Sequence, residues 1–230
     1  MEFMPEHAPL AVVAFLGTAG LLALVALVLL FALWARKKWI GIGAGAFALA
    51  LLSGYLLILL GVSLTSHEKL LAPGERKYFC EIDCHIAYSV SGVEETAMLG
   101  DELHQTAATG RFVIVHLKTW FDPSTISPHR GNGELSPGLR RVVLVDRHGT
   151  EFPLSASAQQ VLTQPLRPGE SYVTDLVFDI PSNARDLRLF VGDGYDLPDR
   201  LLIGHEDSYL HKKIYLALTA GDTISAGRVP

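Results

Sequence analysis

The residues with the clearest chemical potential form one short cluster, Cys80-Glu81-Ile82-Asp83-Cys84-His85. Thiolate and imidazole groups are the ligands that copper and other soft metals prefer. Paired cysteines also form disulfides in oxidising compartments. Three interpretations are open for Cys80 and Cys84: small thiols in an apolar core, a local disulfide, or a metal site completed by His85, with copper as the ion.

The spacing of the two cysteines bears on the disulfide. Residues 78–90 alternate in polarity and predict one extended strand with Cys80 and Cys84 on its apolar face. Four residues of strand cover about 13 Å, whereas the Cα atoms of a disulfide lie within about 7 Å. A Cys80–Cys84 bridge therefore requires a local turn or bulge in that strand.

Other chemical signals in the sequence are weak. His205 and His211 flank a polar stretch and could add imidazole ligands only if the fold brought them to the cysteines. No GxSxG, HExxH or SxxK motif and no phosphate-binding glycine loop occurs. The sequence therefore predicts neither a catalytic residue nor a required cofactor.

Composition divides the chain into two parts. The 230 residues have a mean hydropathy of +0.29 and 19% charged side chains, and the apolar excess is concentrated in residues 1–65. Two runs of 25 residues there, at about 10–34 and 40–64, are each long enough to cross a hydrocarbon core of about 30 Å. Residues 1–65 are therefore predicted to be a retained transmembrane helical hairpin, since the first run is too long and its start too acidic for a cleaved signal peptide.

The turn of this hairpin predicts its orientation. It carries three adjacent cations flanked by two tryptophans, namely Arg36, Lys37 and Lys38 between Trp34 and Trp39. Basic residues favour the cytoplasmic side, and tryptophan favours the membrane interface. We therefore expect a bacterial inner-membrane protein with both termini and the C-terminal domain in the periplasm.

The second apolar run carries small residues at helical spacing: Gly41, Ala44, Gly45 and Ala48. Small residues let helices approach closely in lipid. This face is predicted to pack either against the first helix of the same hairpin or against a partner subunit.

The remainder of the chain is mildly acidic, which argues against nucleic-acid binding. Residues 66–76 are predicted to be a polar linker, residues 77–220 a periplasmic antiparallel β-sandwich, and residues 221–230 a tail. Further strands are expected at about 111–120, 140–146, 171–180, 186–191 and 213–218.

Three stretches carry a family resemblance: GRFVIVHLKTWF, RRVVLVDRHGTEFPLS and LRPGESYVTDLVFDIPSNARDLRLFV. Together they resemble a family of bacterial extracytoplasmic immunoglobulin-like domains of unknown function, over about residues 110–218. The shared residues belong to turns and core, so the resemblance implies an immunoglobulin-like sandwich and transfers no active site.

The layout of a two-helix hairpin followed by an exported sandwich is also loosely similar to subunit II of the haem-copper oxidases. Cys80 and Cys84 have the spacing of that family's dinuclear copper ligands. However, Tyr88 replaces its histidine, Ile82 stands where it usually has Glu, and the pair opens the domain. These differences argue against a dinuclear copper centre.

We therefore expect a non-catalytic accessory subunit of a respiratory or photosynthetic membrane complex, with other subunits and the lipid bilayer as its partners. The alternative is a periplasmic copper-binding electron carrier or chaperone that uses Cys80, Cys84 and His85.

Overall fold

A computed structural model describes residues 8–79, 85–100, 105–125, 130–138, 140–155, 162–193 and 198–218. They form two compact units, one of residues 8–67 with 198–213 and the other of residues 68–193 with 214–218. The first is built on two apolar helices and the second on two β-sheets. The prediction of two N-terminal apolar helices followed by a β-rich region is therefore confirmed.

Helices α1 (Ala8–Trp34) and α2 (Lys38–Thr65) contain 27 and 28 residues. At 1.5 Å per residue each is about 40 Å long, and by length and composition both can cross a membrane. The less exposed positions of α1 recur every three or four residues, as in a helix packed along one stripe. They include Ala11, Phe15, Thr18, Leu22, Val25, Leu29 and Ala32.

The connection between the helices begins with a Schellman motif, in which two backbone N–H groups close the end of α1. The Arg36 N–H donates to the Leu33 carbonyl at 3.2 Å, and the Lys37 N–H donates to the Ala32 carbonyl at 2.9 Å. Arg36 has φ 51°, a left-handed conformation that costs residues other than glycine about 1–2 kcal/mol. The turn thus carries a cation at a position whose backbone favours glycine.

Residues 198–213 belong to the helical unit and lie along the C-terminal half of α2. The Tyr55 hydroxyl donates to the Leu201 carbonyl at 2.6 Å. Eleven residues further along the chain, the Ser66 hydroxyl oxygen accepts a hydrogen bond from the Lys212 N–H at 2.8 Å. The segment therefore follows α2 for about 16 Å.

Nine strands form two sheets among the described residues. The first sheet has the order β2-β3-β4-β7, and the second has the order β1-β9-β8-β5-β6. Neighbours are antiparallel except β1 and β9, which are parallel. The strands are β1 (Lys69–Leu71), β2 (Lys77–Phe79), β3 (Ile86–Leu99), β4 (Thr106–Phe121), β5 (Arg140–Val145), β6 (Glu151–Pro153), β7 (Ser171–Ile180), β8 (Arg188–Asp193) and β9 (Ile214–Ala217).

Both sheets contribute to one apolar core. Alternating residues of β4 and β7 meet alternating residues of β5 and β8, and burying each such side chain contributes about 1.5–3 kcal/mol. The cluster includes Val113, Val115, Leu117, Leu176, Phe178, Leu144, Leu189 and Val191. A second, smaller cluster lies on the opposite face of β5 and β8 and contains Val143, Val145, Phe190 and Tyr215.

The prediction of one strand over residues 78–90 is wrong. Phe79 and Ile86 are Cα partners in the antiparallel pair β2–β3, so the chain reverses direction between them. Because paired residues share a face of the sheet, Phe79 lies with Ile86 in the core and not on the opposite, wet face.

Residues 66–76 are not only a polar linker, and the sheets are not purely antiparallel. The linker region contains β1, whose Leu71 is fully buried. Lys69 and Leu71 of β1 pair with Ile214 and Leu216 of β9 in parallel register. The residues that leave the helices therefore enter the second sheet directly.

Candidate functional site

His85 is the described member of the predicted metal cluster, and the fold engages it closely. Its side chain is 2% exposed, and its ring stacks on Phe121 with centroids 5.4 Å apart and planes 24° apart. Its Nδ1 lies 2.6 Å from the Thr125 hydroxyl oxygen. The His85 carbonyl accepts a hydrogen bond from the Asp122 N–H at 2.8 Å. His85 therefore holds the end of β4 and the short 3-10 turn Pro123–Thr125.

Cys80 and Cys84 lie outside the described residues, so the copper site of Cys80, Cys84 and His85 stays a prediction, as do the disulfide and the core thiols. Residues 78–90 do not form the single extended strand on which the expected spacing of the cysteines depends. Phe79 and Ile86 are paired neighbours, so the separation of about 13 Å that an extended strand imposes no longer applies.

The other two histidines singled out from the sequence lie in the helical unit. The His205 Nδ1 accepts a hydrogen bond from the Asp207 N–H at 3.1 Å. The His211 Nδ1 lies 2.8 Å from the Lys212 carbonyl oxygen, and burial lowers the pKa of His211. Both rings thus contact the backbone of their own segment.

Asp122 is a buried carboxylate held by three hydrogen bonds. It accepts one from the Tyr78 hydroxyl at 2.6 Å and two from Ser124, at 2.8 Å from N–H and 2.7 Å from the hydroxyl. Burial alone would raise the pKa of Asp122, but hydrogen bonds to the charged form outweigh it and leave the pKa below its ordinary value. Such a group is a poor general base near neutral pH.

Lys77 joins the two sheets from within the core and is only 1% exposed. Its Nζ donates to the Val191 carbonyl at 2.6 Å and to the Ile214 carbonyl at 3.1 Å. The rings of Phe79 and Phe190 lie 5.2 and 4.9 Å from the same nitrogen. Lys77 was not foreseen from the sequence, since a lysine at the start of a strand ordinarily lies in solvent.

A second buried cation lies nearby on β5. Arg140 forms an ion pair with Asp193, directly opposite on β8, and the two side chains are 5% and 13% exposed. The guanidinium lies 4.2 Å from the Phe79 ring centroid and 5.9 Å from that of Tyr88. Burial raises the pKa of Tyr88 to about 12, although Arg140 opposes the shift. Tyr88 is therefore neutral at physiological pH.

His116 contacts carboxylates, as a catalytic histidine often does, but its ring is not arranged for acid–base catalysis. It lies on β4 between carboxylates of both neighbouring strands, with Nδ1 2.6 Å from Asp175 and Nε2 3.5 Å from Glu94. Burial alone would lower the pKa of His116, but the hydrogen bonds to these carboxylates raise it above its ordinary value. The nearby Ser91 hydroxyl donates to the His116 carbonyl at 2.9 Å. Both ring nitrogens are thus occupied by carboxylates, and among the described residues neither nitrogen contacts a nucleophile.

The predicted interface residues of the hairpin lie at its turn. Trp34 and Trp39 are 84% and 86% exposed, and Arg36, Lys37 and Lys38 are also exposed. Their placement at a membrane interface stays a prediction from residue type.

The four small residues of α2 share its less exposed face. Gly41, Ala44, Gly45 and Ala48 are all half-buried. A Cβ built on Gly41 would lie 3.8 Å from the Ala32 Cβ of α1. This contact favours packing within the hairpin over packing against a partner subunit at that position.

Comparisons with known proteins give a limited result. The sequence matches no protein-family model, and no curated protein matches it significantly. Among solved structures, the chain is similar to MPT63, a secreted protein from Mycobacterium tuberculosis, at 8% identity and a TM-score of 0.42, over 66% of this chain and 99% of that one. It is also similar to the yjhA protein from Bacillus subtilis, at 13% identity and a TM-score of 0.36, over 65% and 99% of the two chains.

Proposed function

We propose that the protein is a non-catalytic accessory or scaffolding subunit of a larger membrane complex, a respiratory or photosynthetic electron-transfer assembly. Its hairpin spans the bacterial inner membrane with the turn in the cytoplasm. Both termini and the β-rich region, an immunoglobulin-like sandwich, lie in the periplasm. The sandwich makes protein–protein contacts with other subunits.

The observation that carries this proposal is the hairpin with its cations confined to the turn. The outer faces of α1 and α2 expose large apolar side chains such as Leu27, Leu49 and Leu57, which are 62%, 67% and 73% exposed. A contiguous apolar surface of this size is stable only in lipid or against other apolar helices. Three adjacent basic residues at one end support a cytoplasmic location of the turn, since Lys and Arg are enriched on that side of membranes.

The chemistry of the β-rich region supports the non-catalytic part of the proposal. Three of its described buried polar groups are engaged within the fold: Asp122 binds Tyr78, Lys77 binds strand carbonyls, and Arg140 pairs with Asp193. These groups stabilise the two sheets. None of the pairs combines a nucleophile with a free base, the arrangement that acyl or phosphoryl chemistry requires.

Native sizing tests the proposal. The full chain, carrying an affinity tag, is extracted from its own membranes in a mild detergent, separated by native electrophoresis, and its co-migrating proteins are identified. We expect a band much larger than a detergent-bound 25.0 kDa chain, containing integral-membrane electron-transfer subunits. Migration as a single copy would contradict the subunit assignment.

Cells that lack the chain separate scaffolding from catalysis. A scaffold's loss lowers the amount of the assembled complex and leaves the turnover of each remaining complex unchanged. Normal assembly with reduced turnover would instead place the chain in the reaction, and the non-catalytic assignment would be wrong.

A further inference from the structure

Residues 198–213 contact α2, and the position of each contact along the helix gives its depth in the proposed membrane. A hydrocarbon core of about 30 Å takes about 20 helical residues. Counted from Ile40, the first residue after the interfacial Trp39, the core ends near Leu59. On this scale Tyr55 lies about 6 Å inside the outer boundary and Ser66 about 10 Å outside it.

The contacts of the segment fall on both sides of this boundary. The inner contact is the hydrogen bond from Tyr55 to the Leu201 carbonyl, and tyrosine is enriched at such interfaces. The outer contact joins Ser66 to the Lys212 N–H. Between them, a Cβ built on Gly204 would lie 3.8 Å from a methyl carbon of Val62. The segment therefore extends from the edge of the hydrocarbon through the headgroup layer.

The burial of α2 changes at the same level. Leu59 and Ser63 are both fully buried, whereas Ala48 and Leu51, on the same face but deeper in the span, are only half-buried. The end of α2 near the boundary is therefore enclosed more completely than its middle.

Internal bonds hold the segment in a compact series of turns. The Leu202 carbonyl accepts hydrogen bonds from the Ser208 hydroxyl and the His205 N–H, and the Tyr209 N–H donates to the Arg200 carbonyl at 3.3 Å. Lys213 forms an ion pair with Asp207. These bonds hold the backbone around Ser208 and the residues that follow it in place.

The compact segment nevertheless exposes apolar side chains. Tyr209 and Leu210 are 49% and 64% exposed, and Leu210 has φ 64°. A leucine in the left-handed region costs about 1–2 kcal/mol, so an exposed apolar side chain is presented from a strained backbone. Lys212, two residues after Leu210, is exposed, as in interfacial segments whose aromatic and aliphatic groups enter lipid while a lysine reaches the headgroups.

We propose that residues 198–213 form an interfacial collar on α2 that inserts Tyr209 and Leu210 into the acyl–headgroup boundary of the outer leaflet. The occupant of this apolar patch is phospholipid, because the contacts of the segment with Tyr55 and Ser66 of α2 bracket that boundary and the Tyr209 N–H bonds back to Arg200, next to Leu201 at the inner contact. The collar rests on the proposed membrane-spanning role of the hairpin.

Site-specific photocrosslinking tests the collar. The photoreactive residue p-benzoylphenylalanine is placed singly at Leu210, at Tyr209, at Leu57 or at Val173, and the purified full chain is reconstituted in vesicles of phosphatidylethanolamine and phosphatidylglycerol. Leu57 is 73% exposed within α2 and reports on the anchor, whereas Val173 is 54% exposed on β7 and controls for chance collisions with lipid. The readout is a mass increase of one phospholipid.

We expect phospholipid adducts at Leu57, Leu210 and Tyr209, with only background at Val173. Adducts at Leu57 without adducts at Leu210 or Tyr209 would overturn the collar and leave the anchor intact. Absence of adducts at Leu57 would overturn the anchor, and the collar with it. Crosslinks from Leu210 to a second protein chain, or equal adducts at Val173, would also refute a lipid-specific patch. The substituted side chains are exposed, so folding is expected to be preserved and is checked by circular dichroism.

Discussion

Replacing Asp193 by asparagine is expected to lower the free energy of unfolding of the β-rich region by about 3–5 kcal/mol. The substitution keeps the size of the side chain and removes its charge, which leaves the guanidinium of Arg140 buried without its carboxylate. The rings of Phe79 and Tyr88 remain beside that cation. Cation–π attraction contributes about 2 kcal/mol when desolvated, less than the penalty of several kcal/mol for burying an ion.

The neighbouring arginine on the same strand provides a matched control. Arg141 forms an ion pair with Glu151, and these two side chains are 50% and 46% exposed. Such an exposed pair contributes about 0.2–1 kcal/mol, because water and salt screen it. Glu151→Gln makes the same chemical change as Asp193→Asn, so the difference between the variants isolates the effect of burial.

Urea unfolding followed by tryptophan fluorescence measures both variants. Trp120 is the one tryptophan of the β-rich region, so a Trp34→Phe/Trp39→Phe background restricts the signal to that region. The free energies of unfolding are compared only between variants that have the same m-value, the slope of the free energy against urea concentration. If Asp193→Asn costs less than about 1 kcal/mol, as Glu151→Gln is expected to, the argument from a buried unpaired cation is refuted.

Three further predictions follow from burial and charge. Leu189→Asp, which places a carboxylate in the core, is expected to cost more than about 4 kcal/mol and abolish the cooperative thermal transition, and wild-type melting would refute the strand assignment. The pKa of His116 is raised in the folded protein. The contribution of the His116 ring to the stability of the fold is therefore fully present below the ordinary histidine pKa of about 6.5, and it is lost as the pH rises through the raised pKa. His116→Gln should therefore lower the urea midpoint at acidic but not alkaline pH, and equal losses at both would contradict this linkage. Ala44→Leu, on the packed face of α2, is expected to destabilise the detergent-solubilised hairpin by about 1–3 kcal/mol in thermal unfolding, whereas Ala46→Leu, on its exposed face, should not; the reverse order would refute the packing face.

The parts of the fold that follow from sequence are those with long, regular patterns. The two apolar runs differ from the observed helices by only a few residues at each end, because no charged side chain interrupts them. Strand β7 has the predicted bounds, Ser171–Ile180, since its polarity alternates and a Pro-Gly pair precedes it. Local patterns suffice where one face of an element is buried over its whole length.

The β2–β3 reversal could not be predicted because its signals are weak or misleading. Asp83 is the one turn-favouring residue between Phe79 and Ile86, and no glycine, proline or asparagine accompanies it. The alternation of polarity also continues through this stretch, which favours one long strand. Strand β1 could not be predicted either, because three residues are too few to show an alternation of polarity. Its partner β9 also lies far along the chain.

The buried charges escaped prediction for a different reason. Lys77 and Arg140 have the side chains of ordinary surface residues, and their burial depends on acceptors from strands distant in sequence. Arg36 adopts a glycine-like conformation without any signal in its residue type. Tertiary contacts determine the burial of Lys77 and Arg140, and local propensity carries no information about it.

The carboxylates of Asp122 and Asp193 are already engaged by other side chains of the β-rich region. Asp122 and Asp193 are held by Tyr78 and Arg140, so using either carboxylate as a ligand would break a bond that stabilises the sheets. A partner that binds without such a cost must use groups that the fold leaves exposed. Within the described helical unit these are the apolar outer faces of the hairpin and the Tyr209–Leu210 patch. The photocrosslinking and native-sizing experiments therefore examine the surfaces on which the proposed membrane and subunit contacts depend.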